Sequence, residues 1–306
     1  MAPLVPLSVI GGFLGAGKTT LLNNLLRQAG GVRYAVLVND FGDLAIDGDL
    51  IVEHGGDTIT LANGCICCSL GDDLLITVMR LMQGADKPEH LLVEASGVAD
   101  PRPIAEVAIL HPELTPDATI VLADAAEIRE RAADPRLSDT VERQFKAADV
   151  VLLNKCDLVD AAARAELRAW LAELAPEAAL VETEYAAAPL ALLLGRGLEK
   201  VPQGGHHHEP EHPFASVELT WHGGLDETRF RTALAELPAG VLRGKGIVRF
   251  APAPERPRLV QLVGRRLQIG EAANAAAGSR LVLLGTLDEN QRQRITTLFE
   301  GLASGD

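Results

Sequence analysis

The sequence predicts an α/β fold, in which a mostly parallel sheet carries helices on both faces, followed by a smaller C-terminal α+β domain. Three observations predict it. Short apolar runs alternate with amphipathic stretches up to Leu194, which is the pattern of strands buried between helical layers. A glycine-rich segment directly follows the first apolar run. After residue 213, the next strand alternates between polar and apolar residues, as expected of a strand with one exposed face.

The first domain is predicted to span residues 1–194. Its apolar runs predict strands at 7–10, 34–38, 58–61, 91–93, 118–122 and 150–153. Apolar residues at helical spacing predict helices at 21–27, 103–110, 139–147 and 161–174, and a further helix after Ser69, which is a candidate N-cap.

Residues 195–213 have no periodicity and predict a His-rich linker. The second domain is predicted at 214–306. Its expected strands are 214–221, 246–250, 259–263 and 281–284, and its expected helices are 225–237 and 289–302.

Composition limits the partners of the 306-residue chain. A formal net charge of −14 argues against binding to nucleic acid or to an anionic membrane, since either needs a basic face. The N-terminal stretch has no Lys or Arg before Lys18 and no apolar run approaches a membrane span, so neither a signal peptide nor a membrane anchor is expected. Three of the four cysteines lie too close together for a disulfide framework, which favours a reducing, cytoplasmic location.

A phosphate-binding loop is predicted at residues 12–19, which read G-x-x-x-x-G-K-T between a strand and a helix. Its glycines allow backbone N–H groups to face phosphates, and the helix N-terminus adds partial positive charge. Lys18 is expected to reach the β- and γ-phosphates, and Thr19 to place its hydroxyl on Mg²⁺. The residues expected to contact the nucleotide are Gly12, Gly15, Ala16, Gly17, Lys18, Thr19 and Thr20.

A guanine-recognition motif, N-K-x-D, follows the sixth predicted strand as Asn154, Lys155 and Asp157. The Asp157 carboxylate can accept two hydrogen bonds from guanine, which adenine cannot offer, so GTP is the expected nucleotide. Lys155 is expected along the base plane, and Asn154 is expected to tie this loop to the phosphate loop. The alternative for Asp157 is a helix N-cap.

The fourth strand is followed by E-A-S-G at residues 94–97. This is the position where GTPases hold Mg²⁺ through a water molecule and where a glycine N–H senses the γ-phosphate. Glu94 and Gly97 are therefore predicted, with Lys18 and Thr19, to take part in GTP hydrolysis. No glutamine is evident that could orient the attacking water, so slow intrinsic turnover is expected.

A C-x-C-C motif formed by Cys65, Cys67 and Cys68 suits a soft or borderline ion such as Zn²⁺, Cu⁺ or Co²⁺. Three thiolates leave one position open, which suits transfer of the ion better than storage; Asp40, Asp43 and histidines could complete the site. The alternative is a set of small buried residues. The linker histidines His206, His207, His208 and His212 form either an accessory metal-collecting tract or a solvated linker.

Five segments occur in the order found in CobW-type metallochaperone GTPases, which the chain resembles over nearly its whole length. They are G-G-F-L-G-A-G-K-T-T, V-N-D-F-G-D, N-G-C-I-C-C-S, V-E-A-S-G-V-A-D-P and N-K-C-D. The resemblance implies a P-loop GTPase, related to the urease and hydrogenase nickel-insertion GTPases, with a separate C-terminal domain. R-G-K-G at 243–246 looks like the start of a strand in that C-terminal domain. It implies that the three motif cysteines bind metal and that GTP binding is coupled to metal handling. Asp40 and Asp43 depart from the family, in which Glu is frequent.

The predicted function is hydrolysis of GTP coupled to delivery of a transition metal, zinc or cobalt, to a client metalloenzyme. Two alternatives remain at this point: a metal- or redox-responsive binding module that uses GTP as a state marker, and a GTP-dependent activator that remodels a client without carrying metal. A homodimer that depends on nucleotide or metal is left open.

Overall fold

The structure is a computed structural model that describes residues 4–28, 30–40, 58–64, 72–84, 87–195, 214–272 and 278–303. The chain forms two compact units, residues 1–194 and 195–306. Within the described ranges, no helix is long and apolar enough to cross a membrane.

The first unit is a parallel sheet covered by helices. Its strands are β1 (Val5–Gly12), β2 (Tyr34–Asp40), β3 (Thr58–Gly64), β4 (His90–Glu94), β5 (Leu114–Asp124), β6 (Val150–Asn154) and β7 (Ala179–Glu182). Its helices are α1 (Lys18–Arg27), α2 (Asp72–Gln83), α3 (Arg102–Leu110), α4 (Ile128–Ala133), α5 (Ser138–Lys146), α6 (Ala161–Leu174) and α7 (Leu190–Leu193). The described strands lie in the order β3-β2-β4-β1-β5-β6-β7, and every pairing is parallel. The predicted α/β class is confirmed.

The strand order fixes which face each helix covers. The connection through α1 runs from β1 to β2, whereas those through α2, α3, α5 and α6 cross the sheet in the opposite direction. Because parallel crossovers are right-handed, α1 must cover one face and the other four helices the opposite face. The crossing direction changes beside β1, and in such sheets the crevice at that point, at the carboxyl ends of the strands, is the usual ligand site.

A polar cluster lies inside this apolar sheet. Ser8 on β1, His90 on β4 and Asp117 on β5 are all buried. The Ser8 hydroxyl donates to Asp117 Oδ2 at 2.9 Å, and its Oγ lies 2.9 Å from His90 Nε2. Hydrogen bonding among the three side chains offsets the cost of burying them.

In its described residues, the second unit is an antiparallel sheet with two helices. It contains β8 (Ala215–Trp221), β9 (Val241–Val248), β10 (Arg258–Val263), β11 (Arg266–Glu271), β12 (Ser279–Gly285), α8 (Glu227–Ala235) and α9 (Glu289–Leu298), with sheet order β11-β10-β9-β12-β8. Phe230 and Phe299 pack edge to face at 5.7 Å within its core. Asp288 and Gln291 form a capping box that fixes the start of α9.

The main error in the predicted elements concerns β9. The periodicity predicts a strand at 246–250, but the strand is Val241–Val248; it begins before R-G-K-G, and Gly244 and Gly246 both lie within it. A Cβ at Gly246 would collide with the Arg280 carbonyl of β12, so glycine is what permits the strands to pair there. The sequence analysis also missed β7, β11, α4 and α7, which are short or polar.

Candidate active site

The carboxyl ends of β1, β4, β5 and β6 meet at one edge of the first unit. The Ala95 amide, just past β4, donates to Ile10 of β1 at 2.8 Å. The Ala125 amide, just past β5, donates to Asn154 of β6 at 2.9 Å. The segments that the sequence analysis singled out at 12–20, 94–97 and 154–157 therefore leave the sheet side by side.

The phosphate loop owes its shape to glycines. Gly12, Gly15 and Gly17 have φ values of 125°, 81° and 105°, which L-residues rarely adopt. At Gly12, a Cβ would also lie 2.5 Å from the Leu122 carbonyl oxygen of β5. Gly17 is the N-cap residue of α1, and no side chain caps the helix. The first N–H groups of α1 are therefore placed to receive an anion.

Lys18 of the phosphate loop faces Glu94, the last residue of β4. The Lys18 ammonium donates to the Phe13 carbonyl at 3.4 Å and lies 3.8 Å from Glu94 Oε1. Both residues are buried, with 6% and 2% of their surface exposed. Thr19, half-buried, follows Lys18 in the first turn of α1. A buried carboxylate and a hydroxyl beside a phosphate loop are hard oxygen donors of the kind that Mg²⁺ prefers.

The 94–97 segment packs directly on the phosphate loop. A Cβ at Gly97 would lie only 2.9 Å from the Leu14 amide nitrogen. On its other side, the segment is held by Gln144 of α5, which is fully buried. Gln144 Nε2 donates to the carbonyls of Gly97 at 3.2 Å and Ala99 at 3.0 Å. The sequence analysis missed Gln144, since nothing local marks a mid-helix glutamine as a partner of a distant loop.

The guanine-recognition motif at residues 154–157 is called the base motif below. Asn154 connects it to the phosphate loop, because its Nδ2 donates to the Ala16 carbonyl at 2.9 Å. The backbone of Lys155 is in the left-handed region, with φ 62°. Its ammonium lies 2.6 Å from Asp124 Oδ2. Asp124 ends β5 beside Asn154 and was missed by the sequence analysis. Its position at the end of a strand parallel to β6 is the signal that could have identified it.

Asp157 is exposed on a short 3₁₀ turn, Cys156–Leu158. The alternative interpretation of Asp157 as a helix N-cap is wrong, because Asp160 caps α6: its side chain accepts the Ala163 amide at 2.8 Å. The Asp157 carboxylate is thus available for another role at this edge.

Cys156, the cysteine outside the C-x-C-C motif, is buried. Its thiol donates to the Leu153 carbonyl at 3.2 Å, and burial raises its pKa above the ordinary value for a thiol. Since the thiolate is the reactive and metal-binding form, this cysteine stays protonated at neutral pH.

We therefore expect native Cys156 to react slowly with iodoacetamide at pH 7.5, and at the rate of an ordinary thiol once the chain is unfolded in guanidinium. Mass spectrometry of the peptide that contains Cys156 measures both rates. Equal rates of alkylation in native and unfolded protein would contradict the conclusion that Cys156 is a buried, protonated thiol.

The proposed metal ligands fall outside the described residues. These are Cys65, Cys67, Cys68, the Asp40 side chain and Asp43, together with the linker histidines His206, His207, His208 and His212. Ser69, the candidate N-cap, is also outside. In the ranges that are described, no group of three or more His, Cys, Asp or Glu residues is arranged to hold a metal ion.

The backbone nevertheless fixes where the cysteine segment begins. β3 ends at Gly64, immediately before Cys65, and Gly64 is the register partner of Asp40 at the end of β2. Both strand ends lie at the sheet edge that carries the phosphate loop.

The fold and the site together define a P-loop GTPase. The chain belongs to the CobW/HypB/UreG family: it matches the family's nucleotide-binding domain over residues 6–182. Residues 214–303 match the cobalamin synthesis protein cobW C-terminal domain.

Individual proteins that resemble the chain carry related names. It is 33% identical to the zinc chaperone CobW of Sinorhizobium sp, covering 96% of this chain and 97% of that protein. It is 29% identical to the zinc-regulated GTPase metalloprotein activator 1 of Dictyostelium discoideum, covering 87% of this chain and 67% of that protein. Among solved structures, the Zn(II)-bound YjiA GTPase of E. coli is 24% identical over 99% of both chains, with a TM-score of 0.48.

Proposed function

We propose that this protein is a GTP-hydrolysing metallochaperone, which binds Zn²⁺ or Co²⁺ through Cys65, Cys67 and Cys68 and delivers it to a client metalloprotein. The observation that carries the proposal is the strand order. β2 lies between β3, which leads into the cysteines, and β4, which leads into Glu94. Relatives named as a zinc chaperone and as a zinc-regulated activator support the same assignment.

The nucleotide half of the function follows from the residues around the phosphate loop. Lys18 stabilises negative charge on the β- and γ-phosphates, and Asp157 selects guanine. Thr19 and Glu94 would hold Mg²⁺, which supplies further charge stabilisation when bound. Gly97, whose carbonyl accepts a hydrogen bond from Gln144, packs closely against the Leu14 amide of the phosphate loop. A γ-phosphate there would draw this segment toward the nucleotide.

The coupling between nucleotide and metal has to cross the sheet. Strands are spaced about 4.8 Å apart, so the end of β3 lies about 14 Å from that of β1 across β2 and β4. The end of β2, at Asp40, lies between these two strand ends, and we infer that Asp40 and the segment that follows it, which contains Asp43, transmit the change.

We expect one Zn²⁺ or Co²⁺ per chain, with an affinity that depends on the nucleotide. By linkage, GTP and metal change each other's affinity by the same factor, typically about 5- to 150-fold. The measurement is a competitive titration of each metal against a chelator, with a GTP analogue, with GDP and without nucleotide.

The matched variants are Cys65→Ser, Cys67→Ser and Cys68→Ser, with Cys156→Ala as the control cysteine outside the motif. The three motif variants should lose the metal and the control should keep it. Tight binding that survives all three would move the site to the linker histidines. Absence of any metal on the protein would favour the activator that remodels its client without carrying metal.

A further inference from the structure

The loop that follows β7 has an unusual backbone. Tyr185 and Ala186, neither of them glycine, both have φ of 53°. Left-handed residues in succession are costly for side chains with a Cβ, and they persist only where the surroundings hold them. The loop lies beside the base motif, since the Thr183 carbonyl accepts a hydrogen bond from the Cys156 amide at 3.2 Å.

The loop is held on one side by the base motif. Asn154 Oδ1 accepts the Ala186 amide at 2.8 Å and the Thr183 hydroxyl at 3.2 Å. The same side chain donates to Ala16 in the phosphate loop. Asn154 therefore fixes the N–H side of the left-handed pair.

On the other side the loop is held by α1, the helix that begins at Lys18. Asn24 Nδ2 donates to the carbonyls of Tyr185 at 3.0 Å and Ala186 at 3.1 Å. One helical turn later, Gln28 Nε2 donates to Ala188 at 3.3 Å, and Gln28 Oε1 accepts the Leu190 amide at 3.0 Å. Residues four apart lie on one face of a helix, so α1 presents a row of two amide side chains to this loop.

We propose that Asn24 is a positioning residue of the nucleotide site: from α1, it sets where the loop after β7 stands against Asp157, and thereby sets affinity and selectivity for the guanine base. The proposal rests on the proposed guanine recognition by Asp157. Ala186 is held at both its N–H and its C=O, so loss of Asn24 frees one end of the strained pair. The Tyr185 side chain, 74% exposed, stands at this loop beside the base motif.

A connection between phosphates and base follows from this arrangement. The helix that receives the phosphates at its N-terminus holds the base-side loop from its second turn. A shift of α1 on phosphate binding is therefore passed to that loop through the hydrogen bonds of Asn24 and Gln28.

The test compares Asn24→Ala with Asn23→Ala, which makes the same chemical change one residue away. Fluorescent GDP and GTP analogues give the affinities, competition with ATP and ITP gives the selectivity, and thermal unfolding reports the fold. Asn24→Ala should bind guanine nucleotides about tenfold more weakly, through loss of two hydrogen bonds. Its preference for GTP over ATP and ITP should narrow, with kcat at saturation little changed, while Asn23→Ala should match the parent.

The results separate the two hypotheses. A parent protein without preference for GTP would contradict guanine recognition by Asp157, and with it this inference. A parent that prefers GTP, together with an Asn24→Ala variant of equal affinity and selectivity, would overturn the inference alone. If Asn24→Ala does not fold, Gln28→Ala, at the exposed end of the row, is tested instead. Its affinity for guanine nucleotides should be about two- to threefold lower than that of the parent. Parent-like binding by that variant would overturn the inference.

Discussion

Asp157→Asn is expected to change the base that the site accepts, from guanine to xanthine. On the proposed assignment, the carboxylate would accept hydrogen bonds from the N1 and exocyclic amine groups of guanine, whereas an asparagine side chain would place its own N–H donors against one of those donors. The loss in GTP affinity should be on the order of 10²-fold or more, and xanthosine triphosphate should be favoured. Asp160, not Asp157, caps α6, so the helix cap stays intact.

The measurement is the affinity of parent and variant for GTP, ATP and xanthosine triphosphate. Asp160→Asn is the matched control, because it makes the same change three residues away and asparagine is also a good N-cap. It should leave base choice unaltered. Equal affinity of the parent for ATP and GTP would exclude guanine recognition.

Lys18→Ala should nearly abolish GTP hydrolysis. The Lys18 ammonium is buried beside Glu94 and the Phe13 carbonyl, where charge stabilisation is stronger than in water. Removing one such group typically costs about 10²- to 10³-fold in turnover. Phosphate release under saturating GTP measures it, and circular dichroism checks that the fold is retained.

Glu94→Gln is the companion variant, since it keeps the side-chain shape beside Lys18. It should raise the Mg²⁺ concentration needed for turnover more than it weakens nucleotide binding. Turnover in Lys18→Ala equal to that of the parent would mean that another loop is the active one.

The sequence predicts best the parts of the site whose spacing is set by the ligand. A phosphate loop must place its glycines, Lys18 and Thr19 at fixed intervals, so residues 12–19 are recognisable without a structure. Six of the seven described strands of the first unit, all except the four-residue β7, are equally recognisable, because buried parallel strands are apolar on both faces. The metal ligands and the domain limits stay predictions.

The residues that hold the site together escape a local analysis. Asn24 and Tyr185 are 161 positions apart, and Gln144 and Gly97 are 47 apart. Asn24 and Gln144 are both amide side chains on helices, and such residues are common in helices. Only the strand order brings such partners together, and a single sequence does not record which helix lies beside which loop.

The Ser8, His90 and Asp117 cluster has a mechanical consequence. It ties β1, β4 and β5 to one another through the side chains of Ser8, His90 and Asp117. These lie before the carboxyl ends of β1 and β4, from which the phosphate loop and the 94–97 segment emerge. Backbone pairing resists separation of strands, and these additional bonds also resist sliding of one strand along its neighbour. The three central strands therefore form a stiff base with fixed registers, and the loops bend at their attachment to it while the sheet beneath them keeps its shape.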